Sequence, residues 1–179
     1  MWQDILTGLF DKNIEGYETN KHYEQLAEKL KDADTRNGQF NGLFKMSYLA
    51  ARVLAIKSEM GLILTKAYRT GDKETLKHYA EIMLPELRKR VEALRLCHME
   101  NWFELYKPLG WDIFDLRYGG LLSRIDTAIY EIKAYLDGKF DRLEEFEQER
   151  LGFDGIEGAV KYMNLWDKIA SPSKIVAKI

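Results

Sequence analysis

Met46, Leu49, Val53, Ile56, Met60, Ile63 and Ala67 follow one another in alternating steps of three and four residues. That spacing lines seven apolar side chains along one stripe of an α-helix, and it is incompatible with the two-residue alternation of a strand. A helix with such a stripe must bury it against other helices, so the chain is predicted to be an all-α antiparallel helical bundle. Two further stripes support this. Leu76, Ala80, Met83, Leu87, Val91, Leu94, Cys97 and Trp102 mark a helix over residues 73–106, and Leu122, Ile125, Ala128, Ile129, Ile132 and Leu136 mark another that stops at Gly138. Only 3 prolines occur in 179 residues, so few positions oppose helix. One of them, Pro85, falls inside the second stripe and should kink or split that helix.

The remaining elements are read from their ends. Trp2, Ile5, Leu6, Leu9 and Phe10 suit a short helix or docked turn. A helix over residues 19–34, capped by Thr19, carries Tyr23, Leu26, Ala27 and Leu30. Two Asn-Gly pairs at Asn37 and Asn41 break the chain, with Asn41 as a cap for the next helix. Thr70-Gly71-Asp72 ends the stripe that began at Met46 and caps its successor. Residues 107–120 mix aromatic, acidic and glycine residues and are read as one long irregular loop. A short acidic helix is expected over residues 141–151, and a weaker helical pattern runs from Ile156 through Trp166 to a break at Ser171-Pro172. The count is about five to six helices. The organisation expected is a linker with a short helix over 1–16, a helical domain over 17–170 and a tail over 171–179. An opening on Trp2, with no polar lead-in, reads as a cut within a longer protein.

Composition narrows the functions. With 27 basic and 29 acidic residues the formal charge is −2, so no basic excess points to nucleic acid or an anionic membrane. No apolar run is long enough to span a bilayer. One cysteine, Cys97, excludes an internal disulfide or a multi-cysteine metal site, and its apolar helical neighbours suit a buried thiol. A reducing, cytoplasmic address fits weakly.

The usual catalytic constellations are absent. A di-iron bundle needs Glu three residues before His, and none precedes His22, His78 or His98 in that way. Glu18 with His22 and Glu74 with His78 stand four apart and read as exposed pairs, so neither metal nor cofactor is expected. Adjacent Cys97 and His98 point in different directions on a helix and form no dyad. There is no nucleophile elbow and no phosphate loop. Gly119-Gly120 before a helix suits a tight turn with positive φ more than an anion site. The carboxylates of residues 141–149 alternate with arginine and read as a solvated face. The candidate site is the stretch 111–124. Trp111 and Tyr118 could stack on a sugar or pack as anchors, and Asp112, Asp115, Arg117 and Arg124 could bind hydroxyls or cross-link the loop. A structural hub of two Asp–Arg pairs and buried aromatics stands beside a functional surface as the alternative.

This stretch carries a resemblance. His98-Met99-Glu100-Asn101-Trp102, Lys107-Pro108-Leu109-Gly110, Asp115-Leu116-Arg117-Tyr118-Gly119-Gly120-Leu121, Arg124 and Thr127-Ala128 resemble the C-terminal helical region of bacterial β-N-acetylhexosaminidases of the family-20 glycoside hydrolases. Trp2-Gln3-Asp4, Gly8-Leu9-Phe10-Asp11, Tyr135-Leu136-Asp137-Gly138, Leu143-Glu144-Glu145 and Glu149-Arg150-Leu151 extend it. In that family a (β/α)₈ barrel of about 250 residues does the chemistry through a substrate-assisted route. This chain shows no alternating strand–helix pattern. The resemblance therefore implies an accessory domain, silent alone, whose partners are a catalytic barrel in the same parent chain, a homodimer mate or an N-acetylhexosamine glycan. A stand-alone helical interaction module is the alternative.

Overall fold

The computed structural model describes residues 1–8 and 10–150, and these form a helical bundle with no strand among them. In chain order the helices are α1 Asp11–Ile14, α2 Thr19–Leu30, α3 Asn41–Lys57, α4 Met60–Thr70, α5 Lys73–His78, α6 Leu84–Leu105, α7 Trp111–Leu136 and α8 Glu144–Glu147. α2 packs on α3, α3 on α6, and α6 on α7, while α4 lies against α5 and α8. The helical pattern expected after Ile156 lies outside the described residues.

The predicted stripes supply the core. Val53, Met60, Leu76, Ala80, Leu87, Val91, Ala128 and Ile132 are fully buried, and in α4 the buried position is Leu64 in place of the predicted Ile63, which is half-buried. Cys97 is also buried, and its desolvation pushes the thiol pKa up, as suits a structural thiol.

Several elements differ from the sequence reading, each for a local reason. The long stripe from Met46 is divided at Ser58-Glu59 into α3 and α4. Glu59 explains the division, because its carboxylate leaves the α3–α4 line to cap another helix. It accepts the Asn20 amide at 2.7 Å and the Thr19 hydroxyl at 3.2 Å. Asn20 Oδ1 in turn accepts from Ser58 Oγ at 2.9 Å. Thr19 is thus the first residue of α2 and not its cap, and α2 ends at Leu30, well before residue 34. Asn41 is likewise inside α3, where its side chain accepts the Asn37 amide at 2.9 Å. Asp72 does cap as expected, accepting the Thr75 amide at 3.0 Å, and Gly71 closes α4 at φ 71°.

Pro85 splits its helix. A π-helical turn at Tyr79–Met83 joins α5 to α6, with Pro85 in the first turn of α6. The wider turn absorbs the missing donor and the clash of the ring with the preceding carbonyl.

The largest correction concerns residues 107–120. The non-helical link is only 106–110, and α7 begins at Trp111 after Gly110 at φ 97°. Trp111, Phe114, Tyr118, Leu121, Ile125, Ala128 and Ile132 step by three and four, so the apolar stripe runs straight through Gly119 and Gly120. Those glycines lie in a helix interior, outside the set with positive φ. The acidic helix expected over 141–151 is a single turn, α8.

The Glu59 cap is open to test. Glu59→Ala removes acceptors from two donors at the start of α2 and should lower stability by about 1–2 kcal/mol. In urea unfolding the midpoint should fall with an unchanged slope. An unaltered midpoint would show that the cap is not used.

Candidate functional site

All six candidate residues stand on the first four turns of α7, and the helix sends them in two directions. Trp111 and Tyr118 turn inward, at 4% and 2% exposure. They close an aromatic cluster with α6. His98 stands 5.1 Å from Trp111, 4.5 Å from Phe114 and 6.0 Å from Tyr118 in edge-to-face arrangements, and Trp102 lies 5.3 Å from Phe114. His98 Nδ1 is 3.2 Å from the Tyr118 hydroxyl. Burial lowers the His98 pKa, and it pushes the Tyr118 phenol up to about 12. Trp111 Nε1 donates to Asp115 Oδ1 at 2.8 Å, an indole–carboxylate bond one turn apart on α7. Asp112 sits in the first turn of α7, where a carboxylate suits the helix dipole. Neither Trp111 nor Tyr118 offers an open ring face for a sugar.

Arg117 and Arg124 turn toward the start of the chain. The Arg117 guanidinium lies 5.7 Å from the Trp2 ring, and Trp2 meets Tyr118 edge-on at 4.9 Å. Arg124 donates through Nε to Asp4 and through Nη2 to both Glu145 oxygens, at 2.7 and 3.0 Å. The expected solvated face of residues 141–149 thus sends one carboxylate inward, to Arg124. Asp4 Oδ1 also accepts the Leu6 amide at 2.8 Å and the Thr7 amide at 3.1 Å. Burial alone would raise the Asp4 pKa. The Arg124 and backbone donors outweigh it and hold the carboxyl below its usual value. The Asp4 bond, ahead of Glu145, also raises the Arg124 pKa further. Trp2, Asp4, Arg117, Gly120 and Arg124 together line a cleft of about 220 Å³.

A second cluster was not anticipated. Asp11, Lys57 and Arg150 are buried at 1%, 5% and 8% exposure. Gln3 Nε2 donates to Asp11 Oδ1 at 2.6 Å, and Lys57 Nζ donates to the Gln3 carbonyl. Arg150 Nη2 donates to the Leu6 carbonyl at 2.6 Å and to Thr65 Oγ1 at 2.7 Å, and its Nε lies 3.8 Å from Asp11 Oδ2. Gly8 and Gly61 make room for this carboxylate. A Cβ on either would fall 2.2 or 2.7 Å from Asp11 Oδ2. Desolvation raises the Asp11 pKa against the pull of Arg150, and lowers that of Lys57 to about 8. The available signal was Lys57 itself. It stands four residues after Val53 and three before Met60, on the apolar stripe where a lone cation needs a buried partner.

Both clusters fasten residues 2–11 to the bundle. Neither opens a carboxylate to a substrate, since Asp11 is sealed and Asp4 is tied to Arg124. Among the described residues no three His, Cys, Asp or Glu side chains gather as a metal group, and no helix is long and apolar enough to cross a membrane.

A family model described as Glycoside Hydrolase 20C C-terminal domain matches residues 1–164. The chain belongs to that family, in agreement with the resemblance carried by the α6–α7 residues. No curated protein matches it.

The buried lysine makes a pH prediction. Lys57 has a folded pKa of about 8 against an ordinary 10.5. Between these values the folded state binds fewer protons than the unfolded one, so this group's contribution to stability rises with pH. Wild type should therefore gain roughly 2–3 kcal/mol relative to Lys57→Met between pH 8 and 10.5. Parallel stability curves for the two proteins across that window would contradict the lowered pKa of a desolvated Lys57.

Proposed function

We propose that this chain is the non-catalytic helical portion of a glycoside hydrolase that releases terminal N-acetylhexosamine, and that it supports the catalytic barrel of the same polypeptide. One observation carries the reading. Residues 2–11 are built into the bundle through Asp4–Arg124, Gln3–Lys57 and Leu6–Arg150, so a domain joined ahead of them is held on a fixed mount. Family membership supports it, since the matching family is that of a C-terminal domain. The sealed state of Asp11 and the pairing of Asp4 support assigning the hydrolytic carboxylates to the barrel.

Within this reading Arg117 and Arg124 form the interface edge of the domain, while Asp115, bonded to Trp111, and Asp112 stand on other sides of α7. Trp111 and Tyr118 hold that edge from inside. A homodimer contact or an approach to the glycan belongs to the same edge. A free-standing interaction module is the second reading. It is favoured by the exposed apolar side chains at the α6–α7 turn, where Leu105, Tyr106 and Leu109 are 71%, 62% and 80% exposed.

The test uses the purified chain and its full-length parent. The chain alone should not turn over an aryl N-acetylglucosaminide. In the parent, Arg124→Leu should lower the temperature of thermal inactivation by several degrees, because it loosens the mount of the barrel. Turnover by the isolated chain, abolished by a substitution within it, would refute the assignment. So would a parent whose activity and thermal inactivation are unchanged after this domain is removed.

A further inference from the structure

Two Asn-Gly dipeptides, Asn37-Gly38 and Asn41-Gly42, stand four residues apart and share one chemical reactivity. An asparagine before glycine is prone to spontaneous deamidation. Glycine has no side chain to keep its backbone nitrogen away from the carboxamide carbon of the preceding residue, and its backbone turns freely. The attack requires the peptide between the two residues to swing out of helical geometry. The fold gives the two pairs different backbone settings and so separates them.

Asn41 is held. It is the first residue of α3, at φ −52° and ψ −44°, and its N–H donates to the Gly38 carbonyl. Gly42 is pressed against α6. A Cβ there would lie 2.3 Å from Asn101 Oδ1, and Asn101 Nδ2 donates to the Gly42 carbonyl at 2.8 Å. Turning the peptide between Asn41 and Gly42 unwinds the first turn of α3 and breaks this contact. Asn37 stands between two single 3-10 turns, Ala33–Thr35 and Gly38–Phe40, at φ −114° and ψ 15°. It is half-buried, and Gly38 is exposed at φ 55°, where an added Cβ meets no described atom within 4 Å. Its N–H donates to Asn41 Oδ1 at 2.9 Å, its carbonyl accepts from the Phe40 amide at 3.1 Å, and its Nδ2 donates to the Ala33 carbonyl. All three bonds lie within the link of residues 33–41, so this peptide turns without unwinding a helix.

We infer that Asn37-Gly38 is a site of non-enzymatic deamidation in the folded protein, while α3 and α6 protect Asn41-Gly42. The Gly38 nitrogen loses its proton to solvent and bonds to Asn37 Cγ. The Cγ–Nδ2 bond breaks, and Nδ2 takes up a proton and leaves as ammonia. The succinimide ring then adds one water and opens to aspartate or isoaspartate at position 37. Either product puts a carboxylate oxygen in place of the donor that faces the carbonyl of Ala33, a residue at 4% exposure. Isoaspartate also lengthens the backbone by one carbon within the short link ahead of α3. The modification therefore loosens the connection between α2 and α3. It is independent of the role as support for a barrel.

The purified chain is aged in mildly alkaline buffer, folded in one sample and unfolded in urea in the other. Both asparagines fall in the tryptic peptide 37–45, so tandem mass spectrometry assigns each amide-to-acid conversion to one of them. In the folded sample Asn37 should convert faster than Asn41 by roughly tenfold or more, because only Asn41 requires helix bonds to open. In urea the two rates should become comparable. Asn37→Gln should abolish conversion at position 37 and leave Asn41 slow. The isoaspartate fraction, separated by ion exchange, should melt several degrees below the fresh protein. The inference is overturned if neither asparagine converts in the folded sample while both do in urea, or if Asn41 keeps pace with Asn37. A preference for Asn37 that persists unchanged in urea would overturn it too, since the fold would then play no part. An isoaspartate fraction that melts with the fresh protein would overturn the effect on the α2–α3 connection.

Discussion

The burial of Asp11 is the constraint on which the rest of this structure depends. A carboxylate at 1% exposure is unfavourable unless cations and donors surround it. Here Gln3, Lys57 and Arg150 converge from three separated stretches of sequence. Gly8 and Gly61 are small so that the carboxylate can sit between the N-terminal segment and α4. The division of α3 from α4 at Ser58-Glu59 falls directly after Lys57, and Gly61 follows in the first turn of α4. Removal of Asp11 leaves Lys57 and Arg150 without a carboxylate in a dry interior.

The second fastening, Asp4 to Arg124 to Glu145, is more exposed and works differently. Arg124 bridges the N-terminal segment, α7 and α8 in one planar fork, which suits its bidentate geometry. Its neighbour on the same edge, Arg117, covers Trp2, and Trp2 leans on Tyr118. The aromatic cluster beneath, with His98 at its centre, sets the angle of α7 against α6. The residues that look like a binding loop in sequence are therefore the joint between the start of the chain and the bundle. Their chemistry is that of a mount.

How much of this was legible follows from what each signal reports. The stripes at three-and-four spacing report burial, and they gave the helical class and most of the core directly. The α6–α7 motif was informative enough to carry a family resemblance that the matching family bears out. Residues 107–120 look like a loop because their glycines and mixed polarity mask the helical periodicity. The stripe from Trp111 through Phe114 and Tyr118 to Leu121 was already helical in its spacing. The Glu59 cap and the Asp11 cluster were hidden for another reason. Most of their partners are distant in sequence, 39 residues apart for Asn20–Glu59 and 144 for Arg150–Leu6, and no local pattern encodes such a pairing. Only Lys57, a cation in an apolar register, gave a hint.

The central claim is that residues 2–11 are part of the folded unit and not a flexible lead. Native-state amide hydrogen exchange addresses it most directly, because Leu6 and Thr7 donate to Asp4 Oδ1 and Gly8 donates to the Asp4 carbonyl. If the segment is fastened as described, these amides open only with the whole domain. Their opening free energy should then equal that of Leu87 and Val91 in the core of α6. Exchange of Leu6, Thr7 and Gly8 through a separate, low-energy opening, with α6 still fully protected, would contradict the account.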